Sequence, residues 1–230
     1  MISQYSAPKD IDSEFWQDFD KATYWLNKKI SGKTQQAKIM DDGWEVFNYR
    51  QEYSLSEPFY YDSPTTGNHW MMWVTSKRDD HGELHMYCRL AIYLYTEMFM
   101  TMMLPMVFVD KDRDGNVHRE IRGVNVYTAH MFQRMADKDR LGVDMSDRVK
   151  VMRNFAEFIA TGWSDTRPPR NGERHTQIML RTPGSWLRGH TVMVKDRHVT
   201  IYRTFWTDKS MNPKQLRDVR SFSRFADSVK

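Results

Sequence analysis

Cysteine is nearly missing from this chain: Cys88 is the only one in 230 residues, so neither an internal disulfide nor a multi-cysteine zinc site can form. Such usage fits a reducing compartment, and a cytoplasmic location is expected. Long apolar runs are also lacking. The most apolar stretch, Met98 to Val109, falls short of the ~20 residues a membrane-spanning helix needs, so no membrane partner is expected. The opening residues, MISQYSAPKDIDSEF, contain no basic segment followed by an apolar one, which predicts no secretory leader. The chain has no G-x-x-x-x-G-K-[ST], G-x-G-x-x-G or H-E-x-x-H, which removes the usual signals for a phosphate loop, a dinucleotide site and a zinc protease. There is no internal repeat and no low-complexity tract. No cofactor and no metal are expected.

What is present is a globular composition with an uneven charge distribution. Hydrophobic residues make up 40% and aromatic residues 13%, with eight tryptophans, which excludes an intrinsically disordered chain. Residues 1–129 carry 14 Lys and Arg against 19 Asp and Glu, whereas residues 130–230 carry 20 against 11. A mildly acidic half of −5 thus precedes a basic half of +9, consistent with the net +4. Clustered cations attract polyanions in a way that a high overall pI alone does not. Two regions are therefore read: residues 1–123, mildly acidic with helices and hairpins, and residues 124–230, basic and α+β.

Periodicity supplies the elements. Phe15, Phe19, Ala22, Leu26 and Ile30 step by three and four, one stripe of an amphipathic helix from Ile11 to Ile30 with Ser13 as its N-cap. A second helix is expected after Thr34, interrupted at Asp41-Asp42-Gly43, with Pro58 and Ser63 to Gly67 as a loop. Trp70 to Thr75 and Leu84 to Tyr95 form a hairpin, with Trp70 and Trp73 in the core. Met106 to Val109 and Ile121 to Tyr127 form another. A helix opens at His130, and a second runs from a Ser146 cap to about Ala160, its apolar side carrying Val149, Met152, Ala156 and Ile159. Three short strands follow, His175 to Leu180, Thr191 to Val194 and Val199 to Phe205. Pro213 leads a basic helix from Gln215 to Ala226. The fold class is α+β: N-terminal helices and hairpins, two helices, a small antiparallel sheet and a C-terminal helix.

Few motifs carry chemistry. Asp110, Asp112, Asp114 and Gly115 fit the first positions of a calcium loop, but the closing position is Ile121, with Glu120 one residue early. Strand-like flanks make this a polar hairpin turn. His81 and His85 are separated by Gly82 and share no helix face. Met98, Met100, Met102, Met103 and Met106, interleaved with Phe99 and Leu104, read as core filling. The sharper signal is Thr128-Ala129-His130-Met131-Phe132-Gln133-Arg134. At about 100° per residue, His130, Arg134 and Asp137 share one helix face while Met131 and Met135 anchor the other side. An imidazole and a guanidinium near a helix N-terminus suit a phosphodiester. The same spacing also describes a surface histidine beside an Arg134–Asp137 ion pair.

From this helix onward, over residues 124–210, the chain resembles toxin-like domains of the barnase/EndoU/colicin/RelE group of small ribonucleases, whose first helix reads His-x-x-x-Arg-x-x-x-Arg. The third position is here Lys138, with Arg140 two residues on as a substitute. Val199-Thr200-Ile201-Tyr202-Arg203-Thr204-Phe205 looks like the late strand that carries a Thr in that group, preceded by a tight turn from Pro183-Gly184 through Gly189-His190. The resemblance implies metal-independent RNA cleavage by 2′-OH attack. His130 would move the proton, Arg134 would neutralise the phosphoryl oxygens, and Thr204 would hold one of them. Lys138, Arg140, Arg181, His190 and Tyr202 would contact substrate. Strand alternation pairs Thr204 with Tyr202 and turns Arg203 away.

Three functions follow for comparison. The first is a toxin-like endoribonuclease. The second is a non-catalytic nucleic-acid-binding protein that uses the basic face with Arg217, Arg220 and Arg224. The third is an interaction protein whose acidic N-terminal half meets a protein partner.

Overall fold

The computed structural model describes residues 1–30, 34–40, 44–49, 58–78, 84–95, 100–111, 117–136, 144, 146–160, 162–170 and 172–229. The elements run α1 (Pro8–Ile30), β1 (Thr34–Met40), β2 (Trp44–Tyr49), β3 (Phe59–Asp62), β4 (His69–Arg78), β5 (Leu84–Tyr95), β6 (Met100–Lys111) and β7 (Val117–Tyr127). They continue α2 (Ala129–Ala136), α3 (Arg148–Ala160), β8 (Trp163–Arg167), β9 (Thr176–Thr182), β10 (Ser185–Val194), β11 (Arg197–Thr207) and α4 (Pro213–Val229). The α+β class holds, but the sheet is not small. Eleven strands follow the order β1-β2-β5-β6-β7-β11-β10-β9-β8, with β4 on β5 and β3 on β4. Nor is it purely antiparallel. A Cβ on Gly123 would meet His198, and the Thr128 N–H donates to the Tyr202 carbonyl, so both strands ascend together and β11 runs parallel to β7. Among the described residues, no helix is long and apolar enough to cross a membrane.

The chain divides into two compact units. Unit 1 comprises Met1–Leu94, Met103–Asn125 and Val194–His198, and unit 2 comprises Tyr95–Met102, Val126–Met193 and Val199–Lys230.

In unit 1, α1 begins earlier than its stripe suggested. Pro8 occupies the first turn, where a missing N–H costs nothing, and the Ala7 carbonyl receives the first helical hydrogen bonds from Asp10 and Ile11. Ser13 is therefore an interior residue and not the cap. Ile11, Phe15, Phe19, Ala22 and Leu26 are all buried, and Phe15 and Phe19 pack on Trp70 of β4 with ring centroids 5.4 and 6.1 Å apart. The helix expected after Thr34 is instead the β1/β2 hairpin, in register from Met40↔Trp44 to Thr34↔Tyr49, and β3 was not foreseen. The β4/β5 hairpin is present, paired from Arg78↔Leu84 to His69↔Tyr93. The proposed calcium-loop residues 112–116 lie outside the described residues.

A polar knot ties α1 to the loop between β3 and β4. Asp18, fully buried, accepts hydrogen bonds from Ser63 Oγ (2.7 Å), Thr66 Oγ1 and Asn68 Nδ2 (2.8 Å). Asn68 Nδ2 also donates to Glu14, and its Oδ1 accepts from the Ile2 N–H. Nearby, Asp12 is 2% exposed and receives Arg197 in a two-pronged pair at 2.8 and 2.9 Å, with Trp16 Nε1 as a third donor.

In unit 2 the strands β11, β10, β9 and β8 are neighbours in that order, four where three had been expected. β8 escaped notice because Ser164, Asp165, Thr166 and Arg167 are polar and no alternation shows. The turn expected from Pro183-Gly184 to Gly189-His190 is only Pro183-Gly184, where Gly184 has φ 69°, and Ser185 already begins β10. Gly189 is a mid-strand residue. A Cβ there would stand 2.3 Å from the Ile201 carbonyl oxygen, so the close approach of β11 requires glycine. Asp147, not Ser146, caps α3: its carbonyl accepts from Val151 N–H and its carboxylate from Lys150 N–H at 3.1 Å. Asn212 caps α4 reciprocally with Gln215.

Candidate nucleic-acid interface

Thr128 opens α2, with its carbonyl accepting from Phe132 N–H and its hydroxyl facing Met131 N–H. Met131, Phe132 and Met135 are buried, and His130 and Arg134 are exposed. The helix therefore turns its apolar arc inward and carries the predicted His–Arg pair on the outside, as the spacing implied. Asp137, Lys138 and Arg140 lie outside the described residues.

The strand partners behave differently. Tyr202 is 2% exposed and stacks on Tyr127 with centroids 5.1 Å apart and planes 4° from parallel, while Tyr127 meets Phe155 of α3 edge-on. Burial pushes both phenols well above their ordinary pKa. Tyr202 thus fills core where a substrate contact had been expected. Phe205 also faces α3, 6.3 Å from Phe158. Strict alternation would send residues 202 and 205 to opposite sides. Conversely, Trp206 packs with Met179, Trp186, Val219 and Phe222. Side chains of β11 therefore do not alternate strictly between Tyr202 and Trp206, so alternation alone does not pair Thr204 with Tyr202. Thr204 is half-buried, and no hydrogen bond or ion pair joins it to His130 or Arg134. His130 and Arg134 share the exposed edge of α2.

Arg181 and His190 lie on one face of β9 and β10, the face that α4 covers. His190 is half-buried and stacks on His175, centroids 5.3 Å apart. Burial, reinforced by the Arg203 and His175 charges, lowers its pKa to about 4. Arg181 stands between two indoles, 4.9 Å from the centres of Trp163 and Trp186.

Sequence reasoning missed a charge network beneath α4. Arg167 is 3% exposed, and its guanidinium meets Glu173 through both nitrogens, Nη1 to Oε2 at 2.6 Å and Nη2 to Oε1 at 2.8 Å. Asp218 of α4 stands 3.5 Å from Nη2, and Arg188 approaches Glu173 at 3.3 Å and Asp218 at 3.0 Å. The hydrogen bonds from Arg167 hold Glu173 at a pKa of about 2. The acids of this layer are thus engaged internally, and Asp208 likewise accepts from Trp186 Nε1 at 2.7 Å. Cations on the outside are not. On α4, Val219 and Phe222 point inward, while Arg217 and Arg220 lie about 100–160° away around the helix and are exposed, with no ion-pair partner among the described residues. Arg224 carries no described side chain. Among the described residues, no group of three His, Cys, Asp or Glu is placed to hold a metal ion.

Comparison with protein-family models, with curated proteins and with solved structures finds no match to this chain.

Proposed function

We propose that unit 2 binds nucleic acid through the outer side of α4. One observation carries this reading. The inward acid of the helix, Asp218, is taken up by Arg167 and Arg188, whereas the outward Arg217 and Arg220 keep their charge for a partner. Guanidinium groups on a rigid helix match phosphate oxygens bidentately, and their contribution comes from counterion release. Affinity for a labelled RNA should therefore fall steeply with salt. Charge reversal at both positions, Arg217→Glu with Arg220→Glu, should lower the slope of log K against log salt by about two, with melting temperature unchanged. An unchanged slope would sink the reading.

The ribonuclease reading needs His130, Arg134 and Thr204 in one site, and burial of Tyr202 in the core takes away the substrate contact expected beside Thr204. The expected result is that RNA incubated with the protein in EDTA stays intact at concentrations that saturate binding. Cleavage that disappears in His130→Ala, with the fold retained, would put catalysis back on α2.

A further inference from the structure

Trp163, Arg181 and Trp186 are direct cross-strand neighbours: Trp163 pairs with Arg181 across β8 and β9, and Arg181 with Trp186 across β9 and β10. Their side chains therefore rise from one sheet face in a row whose step is the strand spacing of about 4.8 Å. The Arg181 carbon at the centre of the guanidinium lies 4.9 Å from each ring centre, so the cation sits over both indoles in one row. Both ends of the row are fixed. Trp186 is 8% exposed and anchored through Nε1 to Asp208 at 2.7 Å. At the other end, Gly162 lets the chain close onto β9, since a Cβ there would stand 2.7 Å from the Arg181 carbonyl oxygen.

β8 ends the strand order, so among the described residues no strand lies one step beyond Trp163. Trp163 is 53% exposed, the most of any tryptophan among the described residues, and its covered side rests on a cation. From this the geometry points to a stacking site for an unpaired base of a single-stranded nucleic acid, which would sit on Trp163 as the fourth member of the row. The inference rests on the nucleic-acid reading above and adds the form of the ligand. Charge selects the occupant. An indole backed by a guanidinium, on a unit with unpaired arginines, suits a π-face joined to a phosphate better than an apolar side chain. The interior of a duplex cannot use the site, because its bases are stacked on each other and present only edges.

The test compares a single-stranded RNA of roughly twelve nucleotides, a length within the footprint of single-strand grooves, with the same sequence as a duplex, by fluorescence anisotropy at low salt. Trp163→Ala should weaken single-strand binding about tenfold and leave duplex binding unchanged, and Trp163→Phe should retain most of the affinity. A thermal melt of each variant checks that the sheet edge persists. Equal single-strand binding by wild type and Trp163→Ala, with Arg217→Glu/Arg220→Glu still defective, overturns this inference alone. Equal loss on duplex and single strand overturns it too. So does self-association that Trp163→Ala abolishes, since the edge of β8 would then be an interface between copies. Absence of any binding by the wild type overturns both readings.

Discussion

Replacing Glu173 by alanine should destabilise unit 2 by about 3–5 kcal/mol, the cost of leaving a buried charge without its partner. Arg167 is 3% exposed and its two charge-assisted bonds to Glu173, at 2.6 and 2.8 Å, are the short ones. Asp218 remains after the substitution, but at 3.5 Å, and the Phe222 ring 4.9 Å away offers only a cation–π contact. Replacing both members, Arg167→Met with Glu173→Gln, should cost much less than Glu173→Ala alone, because no unpaired charge is left. Urea melts of the three variants check the order.

The same pair sets an acid limit. The Glu173 pKa is lowered from 4.5 to about 2, so its contribution is complete above pH 4.5 and is lost as pH falls toward 2. That difference corresponds to about 2–3 kcal/mol, trimmed because 22% of the side chain remains in water. His190 works in a higher window. Its folded pKa is about 4 against an ordinary 6.5, so the unfolded chain takes up the proton first and stability falls as pH drops from 6.5 toward 4. Melting temperature followed against pH should show both windows. Glu173→Gln should flatten the lower one and His190→Gln the upper.

How much of this was legible follows from the range of each interaction. The α1 stripe, the β4/β5 hairpin and the outward His130–Arg134 edge of α2 are local patterns, and each is present. The acidic Asp-Asp-Gly break after Met40 looked like a helix interruption, yet the aromatic and β-branched run Trp44-Glu45-Val46-Phe47 is strand chemistry and pairs back on β1. β8 gives no alternation because it is an edge strand of polar residues. The pairing of Thr204 with Tyr202 assumed unbroken alternation along β11, whereas Tyr202 and Phe205, three residues apart, both lie toward aromatic rings on or against α3. The Arg167–Glu173–Asp218 network joins residues six and fifty-one positions apart, which no periodicity encodes.

Unit 1 has its own buried carboxyl group, and Asp18→Ala should cost about 3–5 kcal/mol, again because donors are stranded. The chain of donation around Asp18 has one direction. The Thr66 N–H donates to Ser63 Oγ at 3.3 Å and the Asn68 N–H to Thr66 Oγ1 at 3.2 Å. Each hydroxyl oxygen is thus already an acceptor, and its own proton goes to Asp18. With the carboxyl group removed, two hydroxyl protons and the Asn68 amide lose their acceptor inside a site that α1 closes. Asp18→Asn tests the directionality, because it preserves volume but points an NH₂ at groups that are themselves donors. It should cost about 2 kcal/mol, less than alanine but far more than an exposed exchange. Asp20→Asn, two residues on and on the exposed side of α1, should be neutral within about 0.5 kcal/mol. Thermal melts of the three variants decide the matter: a neutral Asp18→Asn would mean that the loop from Ser63 to Asn68 is held by its backbone bonds, Ser63 N–H to Asn68 and Gly67 N–H to Ser63, and not by the helix beneath it.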